Sequence, residues 1–285
     1  MKKKNKFTTI LLIVVSIAGL SLLLYPTVAD YWNLKHQTRA IASYVEQVEN
    51  LDEAEYEAMW QAAVMYNSRI CARENVYQLS ETEQQEYNKL LDISGTGIMG
   101  YIEIPTIEVS LPIYHGTDDA VLQIAAGHLN WTSLPVGGLN THCVISGHRG
   151  LPSARLFTDI TKLREGDRFV MYIMNEPLTY EVDQKREVLP SELDELKISD
   201  GKDYCTLVTC TPYGINTHRL LVRGHRVAND AAEVHVTAEG TVIAPMLVAP
   251  LLMIPFLLLL FILVLFRKPP KKFDPKSITI ERTPL

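Results

Sequence analysis

The chain has 285 residues, 47% of them hydrophobic and 21% charged, with a formal net charge of −6. That length holds one large or two small domains, and that composition excludes a disordered or collagen-like chain. Each tail contributes +4, so residues 7–266 carry −14, which excludes a nucleic-acid-binding module that needs a basic face to neutralise phosphates.

Residues 1–6 form a basic tail carrying Lys2, Lys3, Lys4 and Lys6. From Phe7 to Tyr25 there is no charge, and a helix needs about 20 such residues to cross a bilayer. This predicts a transmembrane or signal anchor over residues 7–26. Val28-Ala29-Asp30 makes a poor cleavage site, so the segment reads as an uncleaved anchor. Residues 27–90 follow, with neither proline nor glycine between 27 and 94. There Ile41, Tyr44, Val45, Val48 and Leu51, then Met59, Trp60, Ala63 and Val64, recur at three- and four-residue steps. That periodicity predicts two or three helices joined by short turns. The acidic run Asp52, Glu53, Glu55 and Glu57 reads as a solvated face.

At Gly95 the texture changes, and residues 91–230 are predicted as a β domain. Apolar runs of strand length appear at 99–104, 109–114, 142–146, 169–174, 178–183, 204–211 and 219–227. Turn signals separate them, such as Gly166-Asp167 and Pro212-Tyr213-Gly214. Seven or eight strands with short helices at 118–126 and 153–163 suggest a closed or nearly closed β-barrel. Residues 231–241 read as a linker. Val242 to Phe266 is a second uncharged stretch, predicted as a transmembrane helix, and 267–285 is a basic tail. Basic clusters outside both spans predict a two-pass protein with both ends cytoplasmic and the β domain extracellular.

Four cysteines lie between the spans, at 71, 143, 205 and 210. Cys205 and Cys210 share one predicted strand at an odd separation, so they face opposite sides and cannot bridge each other. The spacing offers no metal-site motif, and neither metal nor cofactor is expected. Cys210 ends its strand just before a turn, where a thiol is accessible, so it is the candidate nucleophile. Cys143 and Cys205 look like core residues, and Cys71 is left without a role.

Two Gly-His-Arg tripeptides place His148 and His225 at strand ends, and either imidazole has the chemistry of an acid or base for the thiol. Spacing prefers His148, because His225 falls at the far end of the next antiparallel strand. Arg219 begins that strand and would lie near Cys210 across the hairpin. It reads equally well as an oxyanion clamp and as an edge-strand ion pair. Strand alternation allows only one of His218 and Arg219 to point at the thiol.

The block Thr206-Leu-Val-Thr-Cys210-Thr-Pro-Tyr-Gly-Ile-Asn-Thr-His-Arg219-Leu-Leu-Val-Arg-Gly224 resembles the active-site segment of sortases, in particular the pilus-building class C. Ser146-Gly-His148-Arg-Gly-Leu-Pro, residues 97–105 and 111–116, and Thr132-Ser-Leu-Pro-Val-Gly-Gly138 match as well. The likeness runs from about Tyr87 to Val227. It implies a mostly β fold: an eight-stranded sortase-type β-barrel with short helices, preceded by a helical region and flanked by two transmembrane helices. It also implies Cys210 as nucleophile, His148 as acid/base and Arg219 as oxyanion or substrate clamp, while His225 becomes structural. Thr209 and Thr211, flanking Cys210, are candidate substrate-orienting donors.

The implied reaction cleaves an LPxTG-like sorting signal between Thr and Gly through a Cys thioester. The acyl group then passes to a lysine amine of another pilin subunit. The implied partners are secreted pilin or surface proteins bearing that signal, together with the bilayer, at a Gram-positive cell surface. Class C members commonly carry a lid with an acidic-proline-aromatic anchor. Residues 70–80 here hold no such tripeptide, and Tyr77 is the substitute candidate. Two alternatives remain open: attachment of surface proteins to cell-wall peptide, and a non-enzymatic membrane-tethered adhesin or scaffold.

Overall fold

A computed structural model describes residues 2–73 and 77–229, with side chains from Phe7 onward except Thr9. The expected linker 231–241, second span 242–266 and tail 267–285 lie outside the described residues, as do Glu74 to Val76 in the middle of the expected lid. Contacts divide the described chain between Leu24 and Tyr25.

Helix α1 (Lys2–Glu49) contains Pro26. Residues 10–49 form the one described helix long and apolar enough to cross a membrane. Ile10, Leu11, Leu12, Val14, Val15 and Ile17 are all more than half exposed. Helix α2 (Glu53–Cys71) starts at Asp52, whose side chain accepts from the Glu55 amide at 2.7 Å. The acidic run is therefore more than a solvated face. Asp52 caps the helix, and Glu53 and Glu55 sit in its first turn, where the positive end of the helix dipole favours them. Helix α3 (Glu81–Tyr87) opens with a reciprocal box between Ser80 and Glu83.

The helices are fastened to the barrel by buried polar groups as well as by apolar faces. Tyr44 donates to the Met99 carbonyl and accepts from the Met174 amide, both at 2.8 Å. Asn67 exchanges two hydrogen bonds with the Leu134 backbone at 2.9 and 2.7 Å. The Tyr87 hydroxyl meets His128 Nδ1 at 2.9 Å and the Gly116 amide at 3.0 Å. Each such bond adds about 1 kcal/mol net, and leaving its partner unsatisfied costs more.

Eight strands follow: β1 (Ile98–Ile104), β2 (Val109–His115), β3 (Ala126–His128), β4 (Thr141–Ser146), β5 (Arg168–Ile173), β6 (Glu176–Val188), β7 (Asp203–Thr211) and β8 (His218–Arg226). They close into a barrel in the order β1-β2-β3-β4-β7-β8-β6-β5. The pairs β2–β3 and β4–β7 are parallel, and the other neighbouring pairs are antiparallel. The expected helix at 118–126 is shorter, Asp119–Leu122, and its last residue instead starts β3. Glycine explains how so short a strand is accommodated: a Cβ on Gly127 would lie 2.2 Å from the Gly116 carbonyl oxygen. The helix expected at 153–163 is a single 3₁₀ stretch, Thr158–Lys162.

Alternation sorts side chains into two clusters. Cys143, Ile145, Cys205, Leu207, Leu220 and Val222 belong to the main core. Val144 and Leu221 form a second cluster with Leu196, joined by Val188, Val208, Leu193, Leu129 and Trp131. Apolar residues therefore face both sides of β4, β7 and β8, which is why these strands read as continuous apolar runs. The connection from β6 to β7, carrying Leu193 and Leu196, packs on the second cluster.

Candidate active site

On β7, Cys205, Leu207 and Thr209 are buried while Val208 and Cys210 are partly exposed. Cys210 therefore shares its face with Val208 of the second cluster. Directly across the hairpin, Cys210 pairs with Arg219 and Thr211 pairs with His218. A directly opposed pair has its Cβ atoms on one face about 5 Å apart, so Arg219, not His218, stands beside the thiol. The guanidinium Nη1 donates to the carbonyls of Asn216 at 3.2 Å and His218 at 3.1 Å. Among the described residues it forms no ion pair, so the edge-strand ion-pair reading lacks its carboxylate.

His148 reaches the same end by a different route. Strand β4 runs parallel to β7 with Ser146 opposite Val208. His148 follows Ser146 by two residues, as Cys210 follows Val208. Two bonds hold the intervening turn: the Gly147 amide donates to the Val208 carbonyl at 3.0 Å, and Thr209 Oγ1 donates to the Gly147 carbonyl at 2.7 Å. The Phe157 amide donates to the His148 carbonyl at 3.1 Å. His148, Cys210 and Arg219 are all half-buried. His225 pairs with Tyr204, at the end of β7 opposite Cys210, and with Glu181, away from the thiol.

The flanking threonines differ from expectation. Thr209 is 1% exposed and its hydroxyl is committed to Gly147, so it holds the histidine turn and does not face a substrate. Thr211 is 4% exposed and accepts from Arg149 Nη1 at 3.2 Å, so its hydroxyl too is engaged within the protein. Tyr77 stands edge-on to Trp131, with ring centroids 5.1 Å apart, and so touches the outer cluster that borders Cys210.

The outer face that carries Cys210 also holds polar groups, and these are tied down. His142 accepts from or donates to Thr206 Oγ1 at 2.7 Å, and its Nδ1 contacts the Lys197 carbonyl at 2.9 Å. A carbonyl only accepts, so Nδ1 carries the proton and Nε2 accepts from the threonine. Burial pushes the His142 imidazole down to about 4. Arg223 forks onto Asp183 at 2.9 and 3.2 Å while stacking on Tyr204. A cleft of about 580 Å³ lies elsewhere, between α2 and the barrel end holding Asp203 and Arg226. It lies at the opposite end of β7 and β8 from Cys210.

Comparison with known proteins identifies the family. The sortase-domain family model matches residues 102–227. Sortase C1 of Streptococcus agalactiae is 53% identical with a TM-score of 0.66, covering 67% of this chain and 100% of that one. Sortase C of Clostridium perfringens, in a structure with the C-terminal cell wall sorting motif, is 45% identical with a TM-score of 0.60, covering 67% and 100%. Sortase A of Bacillus anthracis is 28% identical over 134 residues, 47% of this chain and 62% of its own length. The chain thus spans just under two thirds of that curated relative.

Proposed function

The chain belongs to the sortase family, with class C members among its structural relatives, and from that premise we propose that it is a membrane-anchored cysteine transpeptidase that polymerises pilins. The observation that carries this reading is the direct pairing of Cys210 with Arg219, at the strand end where the His148 turn is bonded to β7.

The chemistry follows from those positions. The Cys210 thiolate attacks the threonine carbonyl carbon of an LPxTG-like signal, and the π electrons move onto oxygen. Arg219 is already held at the mouth of the hairpin and never loses its charge, so its donors turn from backbone carbonyls to that oxyanion. Collapse of the tetrahedral intermediate breaks the bond to glycine, and His148 delivers the proton its amine needs. A thioester remains on Cys210. A lysine amine of a second pilin attacks it, loses a proton to His148 and releases the thiolate, leaving an isopeptide bond. Val208 and Val188, the partly exposed members of the outer apolar cluster, offer the leucine and proline of the signal a surface to bury.

The anchor helix and a second span at 242–266 would hold this domain at the outer surface of a Gram-positive membrane, with both tails inside. The domain boundaries given above are part of the same proposal. Tyr77, resting on Trp131 at the border of the apolar face, is the proposed remnant of a lid.

Mass spectrometry of the full-length protein with an LPxTG peptide tests the reading. A thioester adduct on Cys210, with release of the fragment beginning at glycine, is expected. Turnover without modification of Cys210 overturns it. Pilin ladders distinguish polymerisation from attachment of single proteins to wall peptide.

A further inference from the structure

The residue after the proposed acid/base is a second arginine, and its contacts are unusual for a surface turn. Arg149 Nη1 donates to Thr211 Oγ1, one residue beyond Cys210, at 3.2 Å. Its guanidinium carbon lies 5.9 Å from the Tyr213 ring centroid, within cation–π range. Tyr213 in turn closes on Gly150, where a Cβ would lie 2.6 Å from the ring and φ is +79°. Only glycine meets both conditions. Meanwhile Arg149 Nε is buried with no hydrogen-bond partner among the described residues. An unsatisfied buried donor on a charged group costs stability, so stability alone does not account for an arginine here.

Set beside the bonds on the other side of the histidine, these contacts form a pattern. Gly147, before His148, is bonded to Val208 and Thr209, which precede Cys210. Arg149, after His148, is bonded to Thr211, which follows Cys210. The imidazole is thus bracketed, residue for residue, by ties to the two sides of the thiol. We infer that Arg149 is a positioning residue, clamping the His148 turn onto the Thr211–Tyr213 segment so that imidazole and thiol hold their mutual geometry. The inference rests on the proposed role of His148. Misplacement of a catalytic group by about 1 Å can cost on the order of a hundredfold in rate, which gives a single clamp room for a large effect.

The test uses the full-length protein with Arg149→Met, Arg149→Lys, Tyr213→Leu and His148→Ala. Two readouts are taken: steady-state turnover of an LPxTG peptide, and the pH dependence of Cys210 alkylation by iodoacetamide, which needs no substrate. Arg149→Met is expected to lower kcat by about tenfold or more with KM within about twofold, because positioning acts in the transition state. Its alkylation profile is expected to move toward that of His148→Ala. Arg149→Lys, which keeps charge and one donor, restores part of the loss, and the exposed Tyr213→Leu change gives a smaller loss of the same kind. Tyr213→Leu keeps the test open should Arg149→Met fail to fold. If His148→Ala is inactive while the Arg149 and Tyr213 variants keep the parent kcat and alkylation profile, the clamp is wrong and the proposed function stands. If His148→Ala itself turns over normally, both fall.

Discussion

Cys205 and Cys210 stand on one strand, five residues apart, in two different chemical worlds. Cys205 is fully buried, opposite Cys143 across a parallel pair and 3.7 Å from Met171 Sδ. Burial pushes its thiol well above the usual range, so it remains a small apolar filler. Cys210 is half-exposed on the outer face, opposite Arg219 and level with the His148 turn. Both thiols begin with the same intrinsic reactivity. An odd spacing on an alternating strand is what separates inert core from candidate nucleophile. The interior end of the strand contributes rigidity, and that rigidity holds the outer groups in place.

The sharpest attempt to break this contrast exchanges the two thiols' fates. Cys210→Ala should reduce turnover by about 10³-fold or more while leaving the melting transition intact. Cys205→Ala should leave turnover measurable and lower stability by about 1–2 kcal/mol in urea unfolding. Equal loss of turnover from both would erase the distinction. Next in size is Arg219→Lys. It keeps the charge but not the planar donor pair, and should lower kcat by about 10²-fold or more. Recovery of parent kcat by lysine would reduce Arg219 to a point charge.

The outer face can be probed through its buried imidazole. The His142 pKa lies near 4 when folded against 6.5 in its ordinary state, so the unfolded chain binds more protons between those values. Its neutral form therefore contributes stability that is complete above about pH 6.5 and lost as pH falls toward 4, with a limit on the order of 3 kcal/mol. Burial lowers His115 as well, adding to the slope with the same sign. Urea unfolding at pH 7 and pH 5 should show the loss, and His142→Asn should flatten it. An unchanged slope in that variant would show the outer face to be looser than drawn. The smallest effect is expected from Thr209→Val, which strands the Gly147 carbonyl and costs about 1 kcal/mol. A modest fall in kcat, read in the same peptide assay, should accompany it.

Particular residues show why some of this was legible beforehand. The strands around Cys210 and Arg219 are long, β-branched and bounded by Pro212-Tyr213-Gly214, so alternation separates Cys205 from Cys210 and the hairpin places His225 at its far end. Strand β3 was hidden, because three residues ending a helix-like run carry no period, and only contact with β2 and β4 makes them a strand. The stretch at 153–163 has helical spacing, yet its backbone settles as one short 3₁₀ turn. Thr209 and Thr211 read as substrate donors for a related reason. Neighbours of a nucleophile look like substrate ligands until the partners of their hydroxyls are known.

Local pattern by itself determined the apolar anchor, the helical lead, the alternation that turns Cys210 outward and the hairpin that brings Arg219 opposite it. All of these depend on residues close along the chain, where periodicity and turn chemistry speak directly. Only the closed barrel decided the rest: that β4 lies parallel to β7, which brings the His148 turn to the Cys210 end of β7 across more than sixty positions of chain, and that Thr209, Thr211 and Arg149 hold that turn. Contacts between distant segments are set by packing and register, which no local spacing encodes.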